Sequence, residues 1–275
     1  MVQLSSQDPD DAQDIHERER IANLRPQAWV NPQPAGRYRL VVIGSGFAGL
    51  VAAQMAAARG VKVALIERDF IGGTCINTGC VPSKAIIRSS RLYAEMRDAS
   101  RYGAQVPSTM NMNFSSTMQR VRRIRSHLGQ RNSVRRLTAA GIDVFFGDAR
   151  FVGTDTLTVN ATRLCFDKAL IATGARPNAP TVPGLAQAGY LTNENMFDMT
   201  ELPRRLLVIG GGPIGCEQAQ AFCRLGAQTT IVQDKPLFLE REERDAAQIL
   251  STALAHDGVE VRLNTRVRRV RVRDG

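Results

Sequence analysis

The sequence has few aromatic residues, few histidines and an odd number of cysteines. Aromatic side chains make up 5% of the 275 residues, with one Trp, so little is available for a surface that stacks on bases. Five scattered cysteines do not fit the paired framework of a small extracellular domain. The three histidines lie far apart, at 16, 127 and 256. These deficits exclude a disulfide-stapled scaffold and give no clustered ligand set for a metal.

Acidic residues are absent from two basic segments. The formal net charge is +10, and residues 120–136 carry seven Arg while residues 262–273 carry six. In the first segment the arginines lie on both sides of a narrow apolar seam without interleaved aromatics, which favours a solvated helix over a nucleic-acid stripe. In the second, Arg alternates with Val as on an exposed strand face. We expect no nucleic-acid partner.

A membrane segment is not predicted. The first twenty residues are largely polar and include several acidic side chains, unlike a secretory signal. Residues 40–58 are nineteen residues without a charge, long enough on length alone to cross a bilayer. Gly44, Gly46 and Gly49 interrupt this run, and a buried strand followed by a helix has the same hydropathy. We expect a cytoplasmic protein without a membrane span.

A strand–turn–helix–strand pattern occurs twice, about 166 residues apart. Such a unit places two parallel strands on either side of a crossover helix. The two copies occupy residues 38–43, 44–49, 50–59 and 61–67, and then 206–209, 210–215, 216–225 and 228–233. The pattern predicts an α/β fold with two tandem Rossmann-like dinucleotide-binding domains.

The domain boundaries follow from composition. Residues 1–36 are polar and Pro-containing, and we assign them to a mobile N-terminal arm. Residues 37–187 form the first domain and residues 188–275 an incomplete second one. The other predicted elements are helices at 82–101, 115–139 and 242–256, short strands within 142–171 and a strand from residue 259 to the end.

The first copy carries a dinucleotide-binding fingerprint. Gly44 permits a tight turn, Gly46 lets the backbone approach a pyrophosphate, and Gly49 lets the helix pack on the strand. The helix N-terminus offers free N–H groups to the phosphates. Glu67 ends the next strand, where an acid accepts hydrogen bonds from a ribose diol.

The second copy has the same glycines but a different strand end. Gly210, Gly212 and Gly215 repeat the fingerprint, and Gln233 stands where the first copy has an acid. A carboxylate there would repel a 2′-phosphate, whereas an amide would not. NADH and NADPH both stay open at this point, with a weak preference for NADPH.

Two cysteines lie five residues apart at the start of a predicted helix. The segment GGTCINTGCVPSK, residues 72–84, contains Cys75, Cys80 and Lys84. A helix N-terminus and a nearby cation lower the pKa of a thiol and favour the thiolate. Two cysteines in one short loop are also compatible with metal ligands or an inert bridge, although no second ligand pair accompanies them.

This segment resembles the redox-disulfide signature of class I pyridine nucleotide–disulfide oxidoreductases. The resemblance extends from about residue 37 to the end and includes LIATGARP at 170–177 and GGGPIGCE at 210–217. The Ser83-Lys84 pair is closer to the mercuric reductase and dihydrolipoamide dehydrogenase members than to glutathione reductases. The resemblance implies a flavoprotein of cell redox homeostasis.

The resemblance also implies roles for individual residues. The first domain would bind FAD and the second NAD(P)H. Cys80 would be the charge-transfer thiol beside the flavin, and Cys75 the interchange thiol that passes electrons on. Lys84 would lie beside the flavin ring and pair with Glu217. The remaining implied FAD contacts are Gly73, Thr74, Gly147, Ala149, Thr173 and Gly174.

The sequence ends inside the second domain relative to that family. The family's second FAD segment and its dimerisation domain, which carries a His–Glu acid/base pair, have no counterpart here. We therefore expect a C-terminally truncated chain that is inactive alone, from a full-length homodimer. The acceptor, whether a disulfide, lipoamide or mercuric ion, is not specified by these residues. The alternative is a nucleotide-binding fragment without turnover.

Overall fold

The structure is a computed structural model that describes residues 15–107 and 112–273. The α-helices are α1 (Ile15–Leu24), α2 (Phe47–Ala57), α3 (Gly73–Asn77), α4 (Cys80–Asp98), α5 (Phe114–Arg131), α6 (Val134–Ala139), α7 (Leu185–Ala188), α8 (Pro213–Arg224) and α9 (Arg244–Asp257). The strands are β1 (Tyr38–Ile43), β2 (Val63–Glu67), β3 (Ile142–Phe146), β4 (Ala149–Phe151), β5 (Thr156–Val159), β6 (Thr162–Ile171), β7 (Arg205–Ile209), β8 (Gln228–Val232) and β9 (Glu260–Arg262).

The chain divides into two compact units. Among the described residues, one unit contains 15–82 and 122–177, and the other contains 83–107, 112–121 and 178–273. The sequence assigns residues 37–187 to one domain, whereas here residues 83–121 group with the second unit. Side-chain contacts within that unit explain the grouping: Arg97 pairs with Asp257, and the rings of Phe114 and Phe222 lie 6.0 Å apart.

The first unit is built on a six-stranded sheet of order β3-β2-β1-β6-β5-β4. The strands β3, β2, β1 and β6 are parallel, and β5 pairs antiparallel with both β6 and β4. Val63 to Ile66 of β2 are almost fully buried because helices and strands cover both faces of the sheet, as parallel sheets require. The predicted α/β fold is therefore confirmed.

Residues 15–36, which the sequence assigns to a mobile arm, pack on the first sheet. Leu24 at the end of α1 is fully buried in the same core as Leu65 and Ile71. Trp29 packs edge-on against Phe146, with ring centroids 6.3 Å apart. Residues 1–14, the rest of the proposed arm, lie outside the described residues.

The second unit contains a parallel sheet of order β7-β8-β9, with α8 and α9 packed on it. Its own core includes Cys216, Ile231 and Leu254, all less than 5% exposed. Each of the two predicted βαβ copies thus contributes parallel strands to a separate sheet.

Two details of the sequence prediction were wrong. The predicted helix 115–139 is split into α5 and α6, because Ser133 adopts an extended backbone and its Oγ caps α6 at the Arg136 N–H. The predicted C-terminal strand ends at Arg262, because Asn264 turns the chain with a positive φ of 50°. The residues that follow, up to 273, form no strand.

The Arg-rich segment 120–136 is also less solvated than predicted. Arg125 is 2% exposed, and Arg120 donates to the Ala85 carbonyl at 2.9 Å. Four other arginines of the segment are exposed, so it is solvated except where individual arginines contact the protein. In the part of the chain that the structure describes, no helix combines the length and apolar character that spanning a bilayer needs.

Candidate functional site

The first glycine-rich turn joins β1 to α2 with little room for side chains. Gly44 has a φ of 100°, and a Cβ built there would lie 2.3 Å from the Ala172 carbonyl oxygen. A Cβ on Gly49 would lie 1.9 Å from the Gly44 oxygen. By contrast, a Cβ on Gly46 would meet no protein atom within 4 Å. Gly46 therefore leaves open the approach to the N-terminus of α2, where a pyrophosphate would bind.

Glu67 at the end of β2 is hydrogen-bonded to this turn. Its Oε2 accepts from the Ser45 N–H at 2.9 Å and from the Ser45 hydroxyl at 2.6 Å, and its Oε1 accepts from the Asp69 N–H at 2.9 Å. The predicted ribose acid thus also fixes the shape of the phosphate-binding turn. No motif in the sequence indicates this second role.

The second turn repeats the first in detail. Gly210 has a φ of 104°, and a Cβ on Gly215 would lie 2.3 Å from the Gly210 oxygen. A Cβ on Gly212, the N-cap of α8, would meet nothing within 4 Å. Gln233 Oε1 accepts from the Gly211 N–H at 2.9 Å, in the position of the Glu67–Ser45 bond. An amide therefore preserves the hydrogen bond to the turn without the negative charge.

The cysteine-containing loop packs directly on the first turn. The Gly72 N–H donates to the Ser45 carbonyl at 2.9 Å. A Cβ on Gly73 would lie 2.7 Å from Gly46 Cα, so only glycine allows this approach. The short helix α3, with Thr74 and Cys75, starts at this contact and is followed by α4 at Cys80. The predicted redox pair and the predicted pyrophosphate site are thereby neighbours.

The two thiols of this loop have different environments. Cys75 is half-buried and Cys80 is exposed, and the two side chains interact with each other. Burial, together with the hydrogen bond and charge of Cys80, raises the pKa of the Cys75 thiol. The close approach of the two side chains is what disulfide exchange within the pair requires, and the raised pKa favours a protonated Cys75.

Lys84 and Glu217 also lie together. The Lys84 ammonium donates to the Glu217 carboxylate at 2.6 Å, and both side chains are more than one-third exposed. Lys84 comes from the first turns of α4 and Glu217 from the first turns of α8. The Lys84–Glu217 ion pair that the resemblance implied is thus present in the structure.

The other predicted FAD contacts lie around the first sheet's carboxyl edge. The Gly147 N–H donates to the Glu67 carbonyl at 2.9 Å, and Ala149 begins β4. Thr173 follows β6 and lies beside Gly44, since a Cβ on Gly44 would be 3.2 Å from Thr173 Cα. Gly174 has a φ of 68°. Gly147 therefore lies at the Glu67 end of β2, and Thr173 lies beside the first turn.

Arg20 and Asn77 are contacts of this site that the sequence analysis missed. Arg20 Nη1 donates to Asn77 Oδ1 at 2.7 Å, and both residues are buried. The spacing of Arg20 and Glu17 in a helix indicates only an ordinary surface ion pair. No signal in the sequence shows that this arginine is buried against a loop 57 residues away.

Among the described residues, no group of three or more His, Cys, Asp or Glu side chains is arranged to hold a metal ion. Each of the two units carries one glycine-rich turn at the start of a helix. The open approaches at Gly46 and Gly212 fit a dinucleotide at each turn.

The chain is similar to known proteins over most of its length. A family model described as pyridine nucleotide-disulphide oxidoreductase matches residues 38–275. The chain is 33% identical over 243 residues to a mercuric reductase of Lysinibacillus sphaericus, covering 88% of the chain and 44% of the relative. It is 33% identical over 237 residues to a dihydrolipoyl dehydrogenase of Bacillus subtilis, covering 84% and 51%.

A solved structure is similar as well. The Cu(II) complex of the HOCl-induced flavoprotein disulfide reductase RclA from Escherichia coli has a TM-score of 0.75 and 32% identity, covering 86% of this chain and 51% of that one. The chain thus spans about half the length of the relatives it matches. The resemblance stated from the sequence is confirmed, and the chain belongs to the pyridine nucleotide-disulphide oxidoreductases, a family of FAD-dependent enzymes.

Proposed function

We propose that this chain provides the FAD site, the NAD(P)H site and the redox pair of a flavoprotein disulfide oxidoreductase. Electrons would pass from NAD(P)H to the Cys75–Cys80 disulfide and on to a disulfide, lipoamide or mercuric-ion acceptor. The observation that carries the proposal is the contact between the cysteine loop and the first glycine turn, at Gly72–Ser45 and Gly73–Gly46. This contact supports a redox role for the two cysteines beside a turn that would bind a dinucleotide.

The first turn and its neighbours would hold FAD. The N–H groups at the start of α2 would bind the pyrophosphate, with Gly44, Gly46 and Gly49 keeping side chains away. Glu67 would accept from the ribose while holding Ser45. Around them would lie Gly73, Thr74, Gly147, Ala149, Thr173 and Gly174. Bound FAD supplies hydride acceptance and two-electron transfer, while the protein orients it.

The dithiol would work with divided roles. Reduction of the disulfide consumes two electrons and two protons and gives two thiols. Cys75 would keep its proton because burial and the adjacent Cys80 raise its pKa. Cys80, at the start of α4, would lie on the flavin side. Cys75 would attack the acceptor once a base removes its proton.

The second turn would bind the nicotinamide nucleotide. Gly210, Gly212 and Gly215 would form its pyrophosphate cradle at the N-terminus of α8. Gln233 tolerates a 2′-phosphate, so NADPH is weakly preferred. The Lys84–Glu217 pair would place a cation beside the flavin ring, as in the family. We also propose that the whole protein is a cytoplasmic homodimer.

A second candidate is a nucleotide-binding chain without turnover. The chain spans about half the length of the relatives it matches, so turnover by this chain is itself a proposal. This candidate predicts nucleotide binding and disulfide formation without NAD(P)H-dependent reduction of an added acceptor.

The proposal is tested by spectroscopy and thiol counting on the purified protein. We expect flavin absorbance, and two additional thiols after dithionite treatment that mass spectrometry assigns to Cys75 and Cys80. Cys75→Ser should give a long-wavelength absorbance band from the remaining thiolate, and Cys80→Ser should not. Free Cys75 and Cys80 in air-oxidised protein that binds no flavin would overturn the proposal.

A further inference from the structure

Arg20 of α1 is a buried arginine whose contacts lead to the redox loop. It is 6% exposed, and its Nε donates to both carboxylate oxygens of Glu17, at 3.0 and 2.9 Å. Its guanidinium lies over the Phe70 ring, 4.2 Å from the centroid. With these groups fixing the plane of the guanidinium, Nη1 points to Asn77 Oδ1 at 2.7 Å. A buried, charge-assisted bond of this kind is stronger than a neutral one.

Asn77 lies between the two cysteines and folds back on the loop that precedes them. It is 6% exposed, and its Nδ2 donates to the Ile71 carbonyl at 3.1 Å and to the Gly73 carbonyl at 3.0 Å. Gly72, between these acceptors, is bonded to the first glycine turn. The Asn77 amide therefore connects the chain after Cys75 to the contact that locates the loop.

Helix α1 is held to the same loop by independent contacts. The Ile71 N–H donates to the Leu24 carbonyl at 3.1 Å, and Leu24 is fully buried among core residues that include Ile76. The Ser126 hydroxyl donates to Glu19 at 3.0 Å on another face of the helix. Arg20 is thus presented to Asn77 by a fixed helix.

We propose that Arg20 is a positioning residue for the redox pair: through Asn77 it holds the loop that brings Cys75 and Cys80 together. Without the bond, residues 76–79 gain freedom, and the effective concentration of one thiol at the other falls. Disulfide formation within the pair becomes less favourable. This inference rests on the proposed function only in taking Cys75 and Cys80 as the redox disulfide.

The experiment measures the dithiol–disulfide equilibrium of the purified protein in dithiothreitol redox buffers, by acid quench, alkylation and mass spectrometry. Arg20→Met should lower the equilibrium constant for the Cys75–Cys80 disulfide about tenfold, which for a two-electron couple is about 30 mV. Arg20→Lys should give an intermediate value, because an ammonium reaches Asn77 or Glu17 but cannot bridge them as a guanidinium does.

Arg25→Met is the matched control. Arg25 follows α1 and donates to the Arg68 carbonyl at 2.5 Å and to Asp69 at 3.2 Å, but it has no contact with Asn77 among the bonds described. This variant should match wild type within twofold. Asn77→Ala should reproduce the Arg20→Met effect, and the double variant should be no worse than Asn77→Ala, because coupled residues are non-additive.

The outcomes separate the two proposals. If wild type forms no Cys75–Cys80 disulfide, the proposed function fails. If wild type forms the disulfide and Arg20→Met has the wild-type equilibrium constant, the positioning role is refuted and the proposed function stands. The same conclusion follows if the effects of Arg20→Met and Asn77→Ala add in the double variant. Circular dichroism verifies folding, and if Arg20→Met does not fold, an Arg20→Lys equilibrium equal to wild type refutes the role.

Discussion

Glu67 and Gln233 are the residues at which the two nucleotide-binding turns differ most. Both accept a hydrogen bond from a backbone N–H of their turn at 2.9 Å, but only Glu67 carries a charge. The hydrogen bond explains why the strand end needs an acceptor in both copies. The charge of the side chain at the strand end can then differ between the two copies, according to the nucleotide that each would bind.

Gln233→Glu should therefore change nucleotide preference without damaging the turn. The carboxylate keeps the bond to the Gly211 N–H but repels a 2′-phosphate, so the Kd for NADPH should rise about tenfold while that for NADH changes little. Fluorescence titration with both nucleotides measures this. Gln233→Leu, which loses the acceptor, should weaken both. An equal change for NADH and NADPH in Gln233→Glu would contradict the assignment.

The pKa shift of Cys75 predicts the pH dependence of its alkylation. A raised pKa means that the unreactive protonated thiol persists to higher pH, so the reaction of Cys75 with iodoacetamide should rise above pH about 8.5, the ordinary thiol value. Cys80→Ser removes the hydrogen bond and charge of Cys80 that help to raise the pKa of Cys75. The pH profile of Cys75 alkylation should therefore move to lower pH. A Cys75 profile centred below the ordinary thiol value would show that the cause assigned here is wrong.

The element proposed to bind the first nucleotide is the turn between β1 and α2, and two of its glycines are required for different reasons. A Cβ on Gly49 would lie 1.9 Å from the Gly44 oxygen, whereas one on Gly46 would meet no protein atom within 4 Å. The φ of Gly46 is −66°, which alanine adopts readily. Gly49 is therefore required by the packing of the helix on the strand, and Gly46 by the proposed approach of the ligand.

Alanine at these positions should separate stability from binding. Gly49→Ala should lower the free energy of unfolding by about 1–3 kcal/mol through overpacking. Gly46→Ala should leave it within about 0.5 kcal/mol while weakening FAD binding at least tenfold. Urea unfolding and flavin titration provide the two readouts. Normal FAD binding by a folded Gly46→Ala would refute the pyrophosphate site at α2.

The sequence predicted those elements whose hydrophobic or glycine pattern is contained within a short segment. The buried strand β1, the glycine turns and α8 follow from hydrophobic runs and glycine spacing. Docking of α1 could not be predicted, because Leu24 and Arg20 are buried by residues distant in sequence and the segment's composition is polar. The same holds for Arg125, whose local pattern indicates solvent although it is 2% exposed.

At the scale of the whole molecule, two units with separate cores carry two separate nucleotide-binding turns. The glycines of each motif adopt the turn that the motif predicts, because a motif encodes a local backbone shape. No motif predicts the Arg20–Asn77 hydrogen bond, because it joins residues that are 57 positions apart in the sequence.

Hydrogen exchange should show each nucleotide acting on its own unit. At about 100 times Kd, FAD should slow exchange in 38–67 and 142–174, since a ligand at that concentration stabilises its site by about 2.7 kcal/mol. NADPH should slow exchange in residues 205–233 instead. At the same ligand concentrations, Gly46→Ala should reduce only the protection by FAD, and Gly212→Ala only the protection by NADPH. Protection of the same segments by both nucleotides would refute the two-site assignment.

The pairing of β1 with β6 has a consequence for how the protein is made. Tyr38 pairs with Phe166, so a central strand of the first sheet finds one of its two neighbours 128 positions later. Contacts of such high contact order form slowly. During synthesis, β1 must wait with an open, apolar edge until β6 has emerged from the ribosome, and a nascent chain with such an edge depends on chaperones to avoid aggregation.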